Sequence, residues 1–183
     1  MKIVFANILG LIFFSAVTSV YASGVLEDTL EYDGVVANAW TSGATLDFPY
    51  NDTVWRFSRE DDRCSVIGSP RARWKISEGR LWLIGLLRCS SPVSLHDAYG
   101  VSDEQVFADW ITSDISTSRG KLLCRFSFRG GITERTLTFT IVRGVLVRVA
   151  EKDNADNPRI VDFDKYLSEA DKGSMKGMIG PCN

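Results

Sequence analysis

A single histidine, His96, is followed by Asp97, and Ser90 and Ser91 lie just upstream. Hydroxyl, imidazole and carboxylate are the parts of a nucleophilic hydrolase. No G-x-S-x-G elbow precedes a helix, however, so nothing in the spacing brings a hydroxyl to His96. The residue is expected to cap a short turn at Ser94–Tyr99 or face solvent. One histidine cannot build a multi-histidine metal site, and no metal or cofactor is expected. Asp109 is the stronger acid–base candidate. On a regular strand it shares a face with Phe107 and Ile111, and a carboxylate among apolar neighbours holds its proton more tightly. Glu134 on an adjacent strand could complete the two-acid pair of a glycosidase, which needs a separation of about 5–10 Å. The competing expectation is a structural ion pair between Asp109 and Arg119 or Arg125.

Two further patterns suggest binding rather than catalysis. Arg71, Arg73 and Lys75 alternate with Ala72, Trp74 and Ile76, which gives a basic face opposite an apolar one. Among five tryptophans, Trp74 is expected in the core, and Trp82 is the best placed to stack on carbohydrate. Lys75 across the ladder can cover Trp82 by a cation–π contact. Charge is also unevenly spread. Ser23–Trp55 holds six acids and no Lys or Arg, whereas Arg119–Arg148 holds seven bases and only Glu134. Either acidic and basic strands lie side by side, or the bases form a patch for an acidic partner. Asn51-Asp52-Thr53 matches an N-glycosylation acceptor.

These residues need strands to hold them. Arg71–Arg88 reads as a hairpin turning at Glu78-Gly79, with Ile76 opposite Leu81, Trp74 opposite Leu83, Lys75 opposite Trp82 and Arg73 opposite Ile84. Thr136–Ala150 reads as a second hairpin. A three-residue loop, Val142-Arg143-Gly144, sets Ile141 against Val145, Phe139 against Val147 and Leu137 against Val149, with Gly144 left-handed. Further strands are expected at Lys121–Phe128, Val106–Thr112, Thr29–Val35, Ala44–Phe48 and Val54–Phe57, and short helices at Ser94–Tyr99 and Phe163–Ala170. The fold class is mainly β, an antiparallel sandwich or barrel-like sheet with one or two short helices, stabilised by disulfides.

The first 22 residues carry an address. Lys2, a mostly apolar run from Ile3 to Val17 and the small residue Ala22 form a signal peptide with cleavage expected before Ser23. The apolar run is shorter than the roughly 20 residues that span a bilayer, so residues 23–183 are expected as one soluble domain with no membrane insertion after cleavage. The chain has 21 Lys+Arg and 23 Asp+Glu, a balance that gives no general attraction for nucleic acid. Four cysteines in an exported chain read as two disulfides. Cys64–Cys89 would bracket the first hairpin, and Cys124–Cys182 would tether the tail.

Three blocks in sequence carry a resemblance. Ala72-Arg73-Trp74-Lys75-Ile76-Ser77-Glu78-Gly79-Arg80-Leu81-Trp82-Leu83 is followed by Val106-Phe107-Ala108-Asp109-Trp110 with Gly120-Lys121-Leu122-Leu123. Glu134-Arg135 and Gly144-Val145-Leu146-Val147 come last. Together they resemble the W-x-I-x-x-G-x-L-x-L, V-F-A-D-W…G-K-L-L and E-R…G-x-L-V blocks of a family of small, uncharacterised, β-rich bacterial proteins. The likeness spans roughly residues 70–150 and departs from the pattern at Ser113-Asp114, where a glycine is usual. It implies a β-rich fold and a bacterial origin, hence the periplasm, with secretion to the medium as the alternative.

The leading expectation is a non-catalytic binding module of inhibitor or immunity type, meeting another protein or an envelope component through Arg71, Arg73, Lys75 and Trp82. The alternatives are a small periplasmic hydrolase using Asp109 with Glu134, and an envelope structural component.

Overall fold

Three dipeptides ending in glycine set out the sheet. Asp33-Gly34, Glu78-Gly79 and Arg143-Gly144 hold both residues at positive φ, 52° and 73°, 53° and 70°, and 47° and 75°. Two consecutive left-handed residues make the tight turn whose twist suits a pair of antiparallel strands. In the computed structural model, which describes residues 27–41, 46–59, 70–88, 92–126, 130–160, 180 and 182, each dipeptide closes a hairpin. The first joins β1 (Thr29–Tyr32) to β2 (Val35–Thr41), and the second β3 (Arg71–Ser77) to β4 (Arg80–Leu87). After the short β5 (Pro92–Val93), β6 (Val106–Phe107) and the long β7 (Ser113–Arg125), the third joins β8 (Gly131–Val142) to β9 (Val145–Asp153).

Neighbouring strands follow the order β3-β1-β2-β7-β8-β9-β4-β5, with β6 also on β4 and β3 also paired to β4. The pairings thus run round and meet again, but β9 joins β4 through one pair, Arg80 with Val145. The sheet is therefore not continuously closed. It is antiparallel apart from β1 with β3, which run parallel. Leu30, Trp74, Leu81, Leu83, Ile115, Phe139 and Ile141 fill its inner side and are almost fully buried. Val54 of α1 (Asp52–Arg59) and Leu95 and Ala98 of α2 (Leu95–Tyr99) join them. The segment before α1 is pinned to α2, because the Tyr99 hydroxyl donates to the Pro49 carbonyl at 2.7 Å and the Asn51 amide to the Ala98 carbonyl at 3.0 Å. Burial pushes the Tyr99 phenol up to about 12.

The first expected register holds for Ile76–Leu81, Lys75–Trp82 and Trp74–Leu83; a bulge then sets Arg73 opposite Gly85 instead of Ile84. The second differs more. The loop has two residues, Val142 opposes Val145, and Leu146 opposes Ile141. A bulge at Val147 restores the inward pattern, so that Arg148 meets Thr140 and Val149 meets Phe139. Thr29–Val35 is broken by the Asp33-Gly34 turn, and Val54–Phe57 is helical rather than extended. Asn51 explains the helix: its side-chain oxygen accepts the Val54 N–H at 2.8 Å as an N-cap. The tail is tethered as expected, with Cys124 bonded to Cys182 and two backbone hydrogen bonds joining Arg125 to Gly180 and Cys182. The expected signal peptide, Cys64–Cys89 and the helix at Phe163–Ala170 lie outside the described residues. Among the described residues no helix is long and apolar enough to cross a membrane.

Candidate functional site

The acid–base candidates are held apart. β6 ends at Phe107, and Asp109-Trp110 forms an exposed turn. The Ile111 N–H donates to the Ala108 carbonyl, and the Trp110 indole N–H to the Asp47 carbonyl at 3.1 Å. Asp109 therefore leaves the apolar face that a longer strand would have given it. The turn lies beside Gly144, whose N–H donates to the Ile111 carbonyl at 2.9 Å. Glu134 belongs to the other end of β8, where its Oε2 accepts the Lys121 N–H at 3.1 Å. The eight residues of strand from Glu134 to Val142 extend roughly 27 Å at about 3.4 Å each. That span is several times the separation a carboxylate pair can use.

His96 and Asp97 are both exposed, with Nδ1 and Oδ1 3.6 Å apart. Asp97 serves α2. Ser94 Oγ accepts the Asp97 N–H at 3.1 Å and donates to Asp97 Oδ2 at 2.8 Å, a reciprocal cap. The Ser94 hydroxyl, with smaller help from His96, holds the Asp97 carboxyl below its ordinary value. Ser90 and Ser91 lie outside the described residues. Among the described residues no group of three or more His, Cys, Asp or Glu side chains is placed to hold a metal ion.

The expected binding face on β3 is partly neutralised from β1. Glu31 lies opposite Lys75 in the parallel register and pairs with its Nζ at 2.9 Å. The Arg71 charge bears on Asp28, and Arg71 Nε is buried without a hydrogen-bond partner. Arg73 stands opposite Gly85 at the bulge. Acidic and basic strands do lie side by side here, although the bases come from β3 rather than from Arg119–Arg148. In that later group Arg135 pairs with Glu151 at 2.9 Å, and this acid raises the Arg135 pKa. Trp82 is not an open platform. It is half-buried, packs its ring 5.6 Å from that of Phe107, and donates its N–H to the Ser77 carbonyl at 3.3 Å. Trp40, Trp55 and Trp110 are the exposed tryptophans among those described. The Asn51 amide is engaged at both ends, donating to Ala98 and capping α1, which accounts for this residue without any glycan.

Two features escape the sequence. Asp28 is buried just before β1 and accepts the Ala72 N–H at 2.8 Å. β9 is the other. Val142, Val145 and Val147 leave 44%, 44% and 56% of their surface in water, and every residue from Val147 to Asp153 is exposed. Alternation of valines read as an inward face; the two-residue turn and the bulge place Val145 outward, and β9 leaves β4 after that residue. Past Val145 no strand among the described residues pairs with its far side. No family model, curated protein or solved structure matches this chain, so a functional reading has the geometry to rest on.

Proposed function

We propose that this chain is an exported, non-catalytic binding module that docks another protein on its β8–β9 hairpin. The observation that carries the proposal is the set of exposed valines on this hairpin: Val142 at the end of β8 opposite Val145 of β9, Val147 at the bulge, and Val149 on the inner side beyond it. Apolar side chains gathered in water contribute nothing to this chain's own core and favour a partner that covers them. The polar inventory supports the same reading, since Asp28, Asp97, Glu134 and Glu31 all have structural partners. Export is supported by the leader and by a disulfide of the kind that persists in oxidising compartments. An inhibitor or immunity-type protein is the concrete form. Hydrolysis by Asp109 with Glu134 would need both acids in one cleft, and they stand at opposite ends of β8.

The test uses the mature chain as bait in its own envelope extract, beside Val145→Thr with Val147→Thr. Threonine keeps the strand propensity and removes apolar surface. The double variant should hold the captured partner about ten-fold more weakly while its thermal midpoint stays close to that of the parent. Equal capture by both proteins would sink the proposal. So would turnover of an envelope substrate that Asp109→Asn abolishes.

A further inference from the structure

β9 offers more than an apolar surface, because past Val145 its far edge pairs with no strand among the described residues. The Asn154 N–H donates to the Glu134 carbonyl at 2.8 Å, and the register runs from Asp153 opposite Arg135 to Arg148 opposite Thr140. In an antiparallel ladder alternate residues exchange both hydrogen bonds with the partner strand. Residues 152, 150 and 148 therefore bond to β8. Val149, Glu151 and Asp153 direct their N–H and C=O groups to the side where no described strand lies.

We infer that this free edge takes an extended strand from a partner protein, a strand that alternates acidic side chains outward with basic side chains inward. The inference rests on the reading of β8–β9 as the docking surface and specifies how that surface is used. Charge decides the occupant. Arg148 and Lys152 lie on the outward face with Ala150 between them, and Glu151 and Asp153 lie on the inward face beyond Val149. Directly opposed cross-strand pairs favour unlike charges and penalise like ones. A second copy of this chain is a poor fit. The two-fold axis relating identical antiparallel strands sets outward residues against outward and inward against inward; centred on Ala150 it opposes Arg148 to Lys152, and centred on Glu151 it opposes that acid to itself. Bulges and charges on an edge strand discourage unselective pairing, and here they leave a pattern that only the reversed alternation satisfies.

Two labelled heptapeptides test this against the mature chain by fluorescence polarisation: Lys-Glu-Lys-Thr-Val-Glu-Val, and its charge-swapped form Glu-Lys-Glu-Thr-Val-Lys-Val. The first should bind about ten-fold more tightly, and Arg148→Glu with Lys152→Glu, which leaves each peptide two unlike and two like cross-strand pairs, should erase the preference. On binding, the Val149, Glu151 and Asp153 amides should become slow to exchange with solvent. Val149→Pro, which deletes an N–H that β8 does not use, should abolish binding. The exchange measurement on the unaltered chain stands even if that variant does not fold. Equal affinities, no binding of either peptide, or a dimer that forms through β9 would each overturn the inference. If the threonine variant loses its captured partner while both peptides fail to bind, the hairpin is still a docking surface and strand addition is wrong.

Discussion

The carboxylate of Asp28 takes the Ala72 N–H, while the Asp28 carbonyl takes the Ala39 N–H at 2.8 Å, so this residue ties β1 to both neighbouring strands. Burial raises its pKa; the Ala72 hydrogen bond, the Arg71 charge and the Leu46 N–H pull the other way without cancelling it, and Asp47 adds a small upward push. The native chain therefore holds this proton more firmly than the unfolded chain. Its contribution to stability is full below the unfolded carboxyl value near 4 and is lost as pH rises through the folded value. That is the reverse of a carboxylate in a salt bridge. Asp28→Asn keeps an acceptor for one N–H but turns an NH2 group toward the other, which should cost about 1–3 kcal/mol. Because asparagine does not titrate, the stability gap between parent and variant should widen from pH 7 to pH 4. Urea unfolding at the two values measures this, and a gap that narrows toward acid would refute a raised pKa. Nothing in the sequence singles Asp28 out from the other acids of its stretch. Its burial depends on the parallel pairing of β1 with β3, forty residues downstream, which local spacing does not encode.

Alternation along β3, β4 and β8 was legible, because side-chain direction on a strand has a period of two and each of these strands has one dry face. Bulges were not, since an extra residue leaves the alternation intact on either side of it. The same limit hid the outward valines of β9. At α1 the segment Val54-Trp55-Arg56-Phe57 has the composition of a strand, and the Asn51 cap with its tie to Ala98 overrides that propensity. Of the turns, Glu78-Gly79 was legible, whereas Asp33-Gly34 read as strand and Arg143-Gly144 as part of a longer loop; the turns also leave room for improvement. Glu78 and Arg143 occupy left-handed positions, with φ of 53° and 47°, that asparagine adopts more readily than other side-chain-bearing residues. Glu78 is exposed, so Glu78→Asn should stabilise the β3–β4 hairpin by about 0.5–1 kcal/mol. A higher thermal midpoint in calorimetry is the expected result. An unchanged or lower midpoint would mean that Glu78 has a role beyond the turn.

At the scale of the whole molecule, the ring of strands is only as continuous as the place where two hairpin tips meet. Leu81 N–H donates to the Gly144 carbonyl at 2.7 Å, and Leu146 N–H to the Gly79 carbonyl at 2.9 Å. Beyond this contact β4 turns to β6 and β9 keeps only β8 as a neighbour among the described strands, so the seam lacks the long ladder that holds β7 to β8. Segments with few neighbours and wet backbone open locally at lower free energy than the global transition. Gly144 sits in the seam with φ of 75°, and a Cβ there would come within 2.7 Å of the Ala108 carbonyl oxygen and 2.8 Å of the Phe107 ring. Gly144→Ala should therefore act as a wedge, adding about 1–2 kcal/mol of left-handed backbone strain to the crowding. Native-state amide exchange separates a local effect from a general one. In the variant, the Leu81 and Leu146 amides should lose most of their protection, while Ile115 and Phe139 at the centre of β7–β8 fall only by the global loss of stability. If all four amides lost protection equally, the seam would be no weaker than the rest of the sheet. β9 would then be held to β4 more firmly than the single pair of Arg80 with Val145 implies, and its free edge would be less accessible to an incoming strand.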